Sequence, residues 1–219
     1  MPDRTPNAAP HARTGRPTVT TGKRLGAHIL EVASKNFLQH GYEGANMDEI
    51  ATDAQVTKRT LYRRYGSKIG LFGAVIDHER TCFIEALVVQ TEGTSVRERI
   101  SVAAQNILDG FLTPKVIGFD RLKAEIERLV PDYSDNALQI VTSHWVDIIR
   151  ETLLADPETA KYDNDEIEDI ASLLLDTLVL APRMRIRMLK VLDNTPAAKS
   201  AHIDQALDLL AAGIPSLRR

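Results

Sequence analysis

The densest chemistry in this chain lies in VTKRTLYRRYGSK, Val56 to Lys68, which holds five cations, two tyrosines and one leucine without a single acid. Cations at that density attract phosphate, and arginine can also pair bidentately with guanine. On a helix from Thr57 to Tyr65 the side chains sort by face. Leu61 and Tyr65 share one side, next to Val56, while Lys58 with Tyr62 and Arg59 with Arg63 form two adjacent polar rows. The run has no acid at helical spacing, so its charges repel one another, and a helix this short must be held by its neighbours.

The elements that hold it are legible upstream. Leu25, Ile29, Ala33 and Phe37 recur every four residues, Val32 widens the stripe, and Gly41 supplies the residue that tolerates left-handed backbone after a helix. A second short helix, about Met47 to Ala54, opens on Asn46 with Glu49 at capping-box spacing. A turn at Gln55 and Val56 leads to Thr57, a good N-cap. Short helix, tight turn and short basic helix form a helix-turn-helix, whose second helix enters a major groove. Gly66 closes that helix and Ser67 caps a long fourth helix running to about Gln90.

Helical spacing continues to the C-terminus, with helices expected over about Val96 to Asp109 (capped by Ser95 and Glu98), Pro114 to Leu129, Asp135 to Leu154, Asp165 to Ala181 and Ser200 to Ala212. Strand-type alternation and fixed-period repeats are absent, so the expected fold class is all-α: an N-terminal helix-turn-helix domain, 22–66, and a helical bundle, 67–219. Residues 1–21 carry four prolines and few large apolar side chains, and are expected to be a disordered basic arm. Its TGRPT segment, Thr14 to Thr18, reads first as a soluble leader with weak phosphate attraction, and alternatively as a minor-groove insert.

Charge supports the division. The formal net charge is −3, yet residues 1–80 have 12 Lys+Arg against 8 Asp+Glu, and the remainder 15 against 22. The first part is thus suited to face an anion. The single cysteine, Cys82, leaves no internal disulfide, no signal-peptide core is present and no apolar run reaches membrane length, so the expected location is cytoplasmic without membrane attachment. Enzyme signatures are missing. None of the six histidines has an acid three residues upstream, and no Cys/His cluster has zinc spacing. The acid run Asp163 to Asp169 lacks the glycine of a calcium loop and suits a helix N-terminus. Neither catalytic residue, metal nor cofactor is expected.

Residues 25–75 closely resemble the DNA-binding domain of TetR-family transcriptional regulators. The resemblance is carried by Ile29, Leu30, Ala33, Phe37, Gly41 and Tyr42, then Met47 to Ala51, the basic stretch itself, and Leu71, Phe72, Ala74 and Val75. It implies a homodimer whose two recognition helices meet a near-palindromic double-stranded DNA operator. By position, Thr57, Lys58, Arg59, Tyr62 and Arg63 occupy the groove-contacting places, Arg64 the place more often held by histidine, and Lys68 that of a phosphate-binding lysine. Gln55 stands where many members have glycine, which costs strain if its φ is positive, and Arg59 where many have a small residue.

The same resemblance implies a C-terminal domain that dimerises and senses a small-molecule inducer, the whole acting as a repressor released from DNA on ligand binding. Ile170, Leu174 and Leu178 on one helix, and Ile203, Leu207 and Leu210 on the last, match the pair that builds the family's dimer seam. Phe83, Phe111, Phe119, Tyr133, His144 and Trp145 fall on the helices that enclose the ligand pocket in relatives. Leu112 to Tyr133 also loosely resembles the AefR-like subgroup of ligand domains. The competing reading is a helical-bundle small-molecule binding protein or enzyme with an incidental basic helix.

Overall fold

Every helix expected from spacing forms in the computed structural model, which describes residues 19–86, 95–130, 133, 137–159 and 161–218. The fold is all-α. Helix α1 spans Val19–Gly44, α2 Met47–Asp53, α3 Lys58–Tyr65 and α4 Lys68–Ala86. The bundle continues with α5 (Val96–Phe111), α6 (Pro114–Leu129) and α7 (Ala137–Leu154). Residues 1–18 of the expected arm, the run of α4 to Gln90 and the expected start at Asp135 lie outside the described residues. Helix α1 already begins at Val19, within the stretch read as an arm.

Local signals set most boundaries. Gly41 breaks α1 at φ 75°, ψ 175°. Ser95 and Glu98 form the reciprocal capping box, and Asp163 with Glu166 forms another. Asn46 does cap α2, accepting from the Asp48 amide at 2.8 Å, but Glu49 does not complete a box. Its carboxylate instead accepts from Asn36 at 3.5 Å, while Asn36 Oδ1 takes the Asn46 amide.

Beyond Asp163 the chain departs from expectation. Helix α8 (Asn164–Leu175) does not end at Ala181. It passes through a π turn, Asp176–Leu180, into α9 (Ala181–Met184) and a second π turn, Arg185–Leu189, before α10 (Pro196–Leu210). Pro182 suggests a stop because it has no N–H to donate. The π turn absorbs it: the Ala181 amide reaches back five residues to Asp176, and in that register the unserved carbonyl is Thr177. The ring Nε2 of His202, on α10, stands 3.4 Å from that oxygen, so a protonated Nε2 donates in place of the missing amide.

Two apolar cores result. The N-terminal one joins Ile29, Phe37, Ile50, Leu61, Phe72 and Val75 to Leu122 and Ile126 of α6. Phe72 sits edge-on to Phe37 at 5.2 Å and to Tyr42 at 5.9 Å. The second core collects Ile107, Trp145, Leu153, Leu174, Leu178, Ile203 and Leu207. Burying each such side chain contributes about 1.5–3 kcal/mol. Among the described residues no helix is long and apolar enough to cross a membrane.

Candidate nucleic-acid interface and neighbouring cavity

Helix α3 is pinned from beneath by Leu61, 0% exposed, with Val56 and Tyr65 half-buried beside it. The turn before it closes through Gln55 N to Thr52 O at 3.0 Å and Val56 N to Ala51 O at 2.9 Å. Gln55 takes φ 54°, the left-handed conformation glycine would adopt without strain. Thr57 Oγ1 accepts from the Thr60 amide at 3.1 Å and so caps α3.

The basic residues then divide into two groups. Lys58 does have an acidic partner, Asp48 of α2, at 2.9 Å. The hydrogen bond to that carboxylate, and then its charge, raise the Lys58 pKa. Arg64 turns away from the exposed face to donate to Gly22 O at 2.8 Å, and a Cβ on Gly26 would come within 3.2 Å of its guanidinium. Lys68 donates to Glu43 O at 2.9 Å and lies 5.0 Å from the Tyr42 ring centroid. Partial burial lowers its pKa, against the pull of Glu125 and Glu43. These three cations brace the domain. Arg59, Tyr62 and Arg63 remain exposed, with no hydrogen bond or ion pair among the described residues. They form a contiguous outward face of two guanidiniums and a phenol, the chemistry that meets base edges and phosphates.

Helix α6 grips this domain from the other side. Both oxygens of the Glu125 carboxylate are used, Oε2 accepting from the Tyr42 amide and Oε1 from the Glu43 amide, each at 3.2 Å. They satisfy the backbone where α1 breaks at Gly41. The close approach is permitted at Gly118, whose Cβ, if present, would meet Leu38 at 2.6 Å.

On its opposite side α6 walls a cavity of about 430 Å³, shared with α4, α5, α7 and α9. Phe83 and Phe111, with rings 5.1 Å apart, and Phe119 line it as expected. The other three candidates are elsewhere. Tyr133 meets Phe72 edge-on at 6.1 Å in the N-terminal core. Trp145 is 1% exposed in the second core, one turn beyond the cavity-lining Val141, and His144 packs on its ring at 5.4 Å. Sequence reasoning missed Ile76, Val116 and a charged corner, Glu79 with Lys115 and Asp120 with Arg183. Nothing local marks these, because each pair joins different helices.

Comparison with known proteins bears on this arrangement. The sequence profile of bacterial regulatory proteins of the tetR family matches residues 29–75, from α1 through the first half of α4. The HTH-type transcriptional repressor SCO4008 of Streptomyces coelicolor is 41% identical over 51 residues, 23% of this chain and 27% of that protein. The HTH-type transcriptional activator FasR of Mycolicibacterium smegmatis is 34% identical over 85 residues, 37% of each. These matches span well under two thirds of either relative. The crystal structure of a TetR-family regulator from Mesorhizobium loti superposes with TM-score 0.69 at 18% identity, covering 87% of this chain and 96% of that one, which extends the likeness of fold to both domains. Residues 29–75 thus match the DNA-binding region of the tetR family, and the fold of the chain is that of TetR-family structures.

Within this fold the six seam candidates pack in or against the chain's own core. Leu174, Leu178, Ile203 and Leu207 are buried in the chain's own core, and Ile170 and Leu210 lie half-buried at its edge. What the long helix turns outward is Leu173, Met184 and Met188, and α10 adds Leu209. A helix apolar on several sides carries no local signal of which side its own subunit takes.

Proposed function

We propose that this chain is a homodimeric, DNA-binding transcriptional regulator of the TetR family whose operator affinity responds to a small molecule held in the cavity. The observation that carries the reading is the outward face of Arg59, Tyr62 and Arg63, unpaired among the described residues, on a short helix locked at its base by Leu61. Groove-reading side chains must be free to pair with bases, and their helix must be held rigidly enough to set register. Lys58, Arg64 and Lys68 serve chiefly to hold that register and to add positive potential.

Two copies meet through the outward Leu173, Met184, Met188 and Leu209, large apolar side chains that single-chain packing leaves exposed. A ligand in the cavity touches α4 and α6 together. Helix α4 starts directly after α3, and α6 holds α1 through Glu125, so shifting either wall changes the separation of the two recognition helices. The ligand is coupled to DNA to the extent that it prefers one separation over the other.

Selecting bound sequences from a random DNA pool tests the reading, which expects an inverted repeat with affinity falling steeply with salt. Arg59→Ala or Arg63→Ala should then cost about 1–3 kcal/mol and relax preference at one position per half-site. A chain with no sequence preference, or with both variants as tight as the parent, refutes the assignment of α3.

A further inference from the structure

The charged corner of the cavity says more about its occupant than its apolar walls do. Four cations line it, Arg80, Lys115, Lys123 and Arg183, against two carboxylates, Glu79 and Asp120. Both carboxylates are already engaged. Glu79 accepts from Ser34 Oγ at 2.6 Å and pairs with Lys115 at 2.5 Å. Asp120 is shared by two guanidiniums, Arg183 at 2.6 Å and Arg187, so one negative charge faces two positive ones. Arg183 also lies 5.0 Å over the ring of Phe111, and its Nε–H is buried without a partner among the described residues.

An unpaired buried donor on a guanidinium, in a corner already one charge positive, is the environment an anionic acceptor completes. Arg80 and Lys123 pair with Asp77 and Glu127, so the excess charge lies at Asp120. A cationic ligand would find both lining carboxylates engaged and the Arg183 and Arg187 guanidiniums opposing it. A neutral acceptor could meet the donor but would leave the excess positive charge beside Asp120 unbalanced. The body of the ligand is apolar, to pack against the rings of Phe83, Phe111 and Phe119 that line the cavity, and aromatic rings suit such walls. We propose that the cavity binds a ring-bearing, otherwise apolar organic acid, whose anionic group is held by Arg183. The proposal rests on the cavity being the effector site. It also gives α9, which carries Arg183 beside the outward Met184, a direct part in the response.

Three probes with the same rings separate the possibilities: 2-naphthoate, its methyl ester and 2-naphthylmethylamine, each titrated calorimetrically into the full chain. The acid should bind at least about tenfold tighter than the ester, the amine most weakly. Arg183→Met should abolish the preference for the acid and leave the ester unchanged, while Arg183→Lys should retain part of it. If Arg183→Met does not fold, the ranking on the unaltered chain still decides. An ester or amine that matches or exceeds the acid overturns the proposal, as does failure of all three to bind. Operator binding, measured without probes, tests the regulator reading separately. DNA released by the ester but not by the acid would keep ligand-responsive regulation and discard the anion.

Discussion

Neighbouring leucines on α8 distinguish the chain's own core from its proposed seam. Leu174 is 0% exposed within a single chain, whereas Leu173 is 48% exposed. Leu174→Glu removes about 1.5–3 kcal/mol of apolar burial and places an unpaired carboxylate among apolar side chains, which adds several kcal/mol more. The sum, about 5 kcal/mol or more, rivals the whole stability of a typical domain, so this variant should unfold or aggregate. Leu173→Glu keeps its carboxylate in water in the isolated chain, and the fold should change by no more than about 0.5 kcal/mol. In a twofold dimer, however, that glutamate enters an apolar seam near its own symmetry copy, and association should fail. Met188, 75% exposed, should behave like Leu173 when changed to Glu. Light scattering gives the mass and circular-dichroism melts give the fold. Two results refute the reasoning: Leu173→Glu and Met188→Glu proteins that remain dimeric, or a Leu174→Glu protein that is folded and monomeric.

Gln55→Gly should stabilise the protein by roughly 0.5–1 kcal/mol in urea melts, since relieving about 1–2 kcal/mol of left-handed strain outweighs the entropy glycine adds to the unfolded chain. A destabilised variant would mean that the Gln55 side chain contributes more than its backbone costs. Glu125→Ala leaves the Tyr42 and Glu43 amides without their acceptor and should cost about 1–3 kcal/mol of stability. It should also weaken the effect of a cavity ligand on DNA affinity, and coupling unchanged in paired titrations would route the signal through α4 alone.

What the sequence determined by itself lies within about one helical turn of each residue. Apolar spacing placed α1 to α8 and α10, and Thr57 and the Ser95–Glu98 pair cap theirs as expected. Gly41 and Gly66 both take φ 75°, where the chain needed a residue without a side chain. The basic stretch was legible as a helix with a buried side for the same reason: Leu61 and Tyr65 are four residues apart, and that spacing is set by the helix itself.

Only tertiary structure decided which cations stay free. Lys58 finds Asp48 ten residues back, Arg64 finds Gly22 O across 42, and Lys68 finds Glu43 O across 25, so that of the seven DNA-binding candidates Arg59, Tyr62 and Arg63 are left exposed and unpaired among the described residues. It decided likewise that Trp145 packs beyond the cavity and that Leu174 faces inward where Leu173 does not. It also carried a helix through Pro182, with His202 beside the carbonyl that proline cannot serve. In each case the local pattern permits several partners, and the choice falls to whichever distant helix brings a donor, a charge or an apolar surface within a few ångströms.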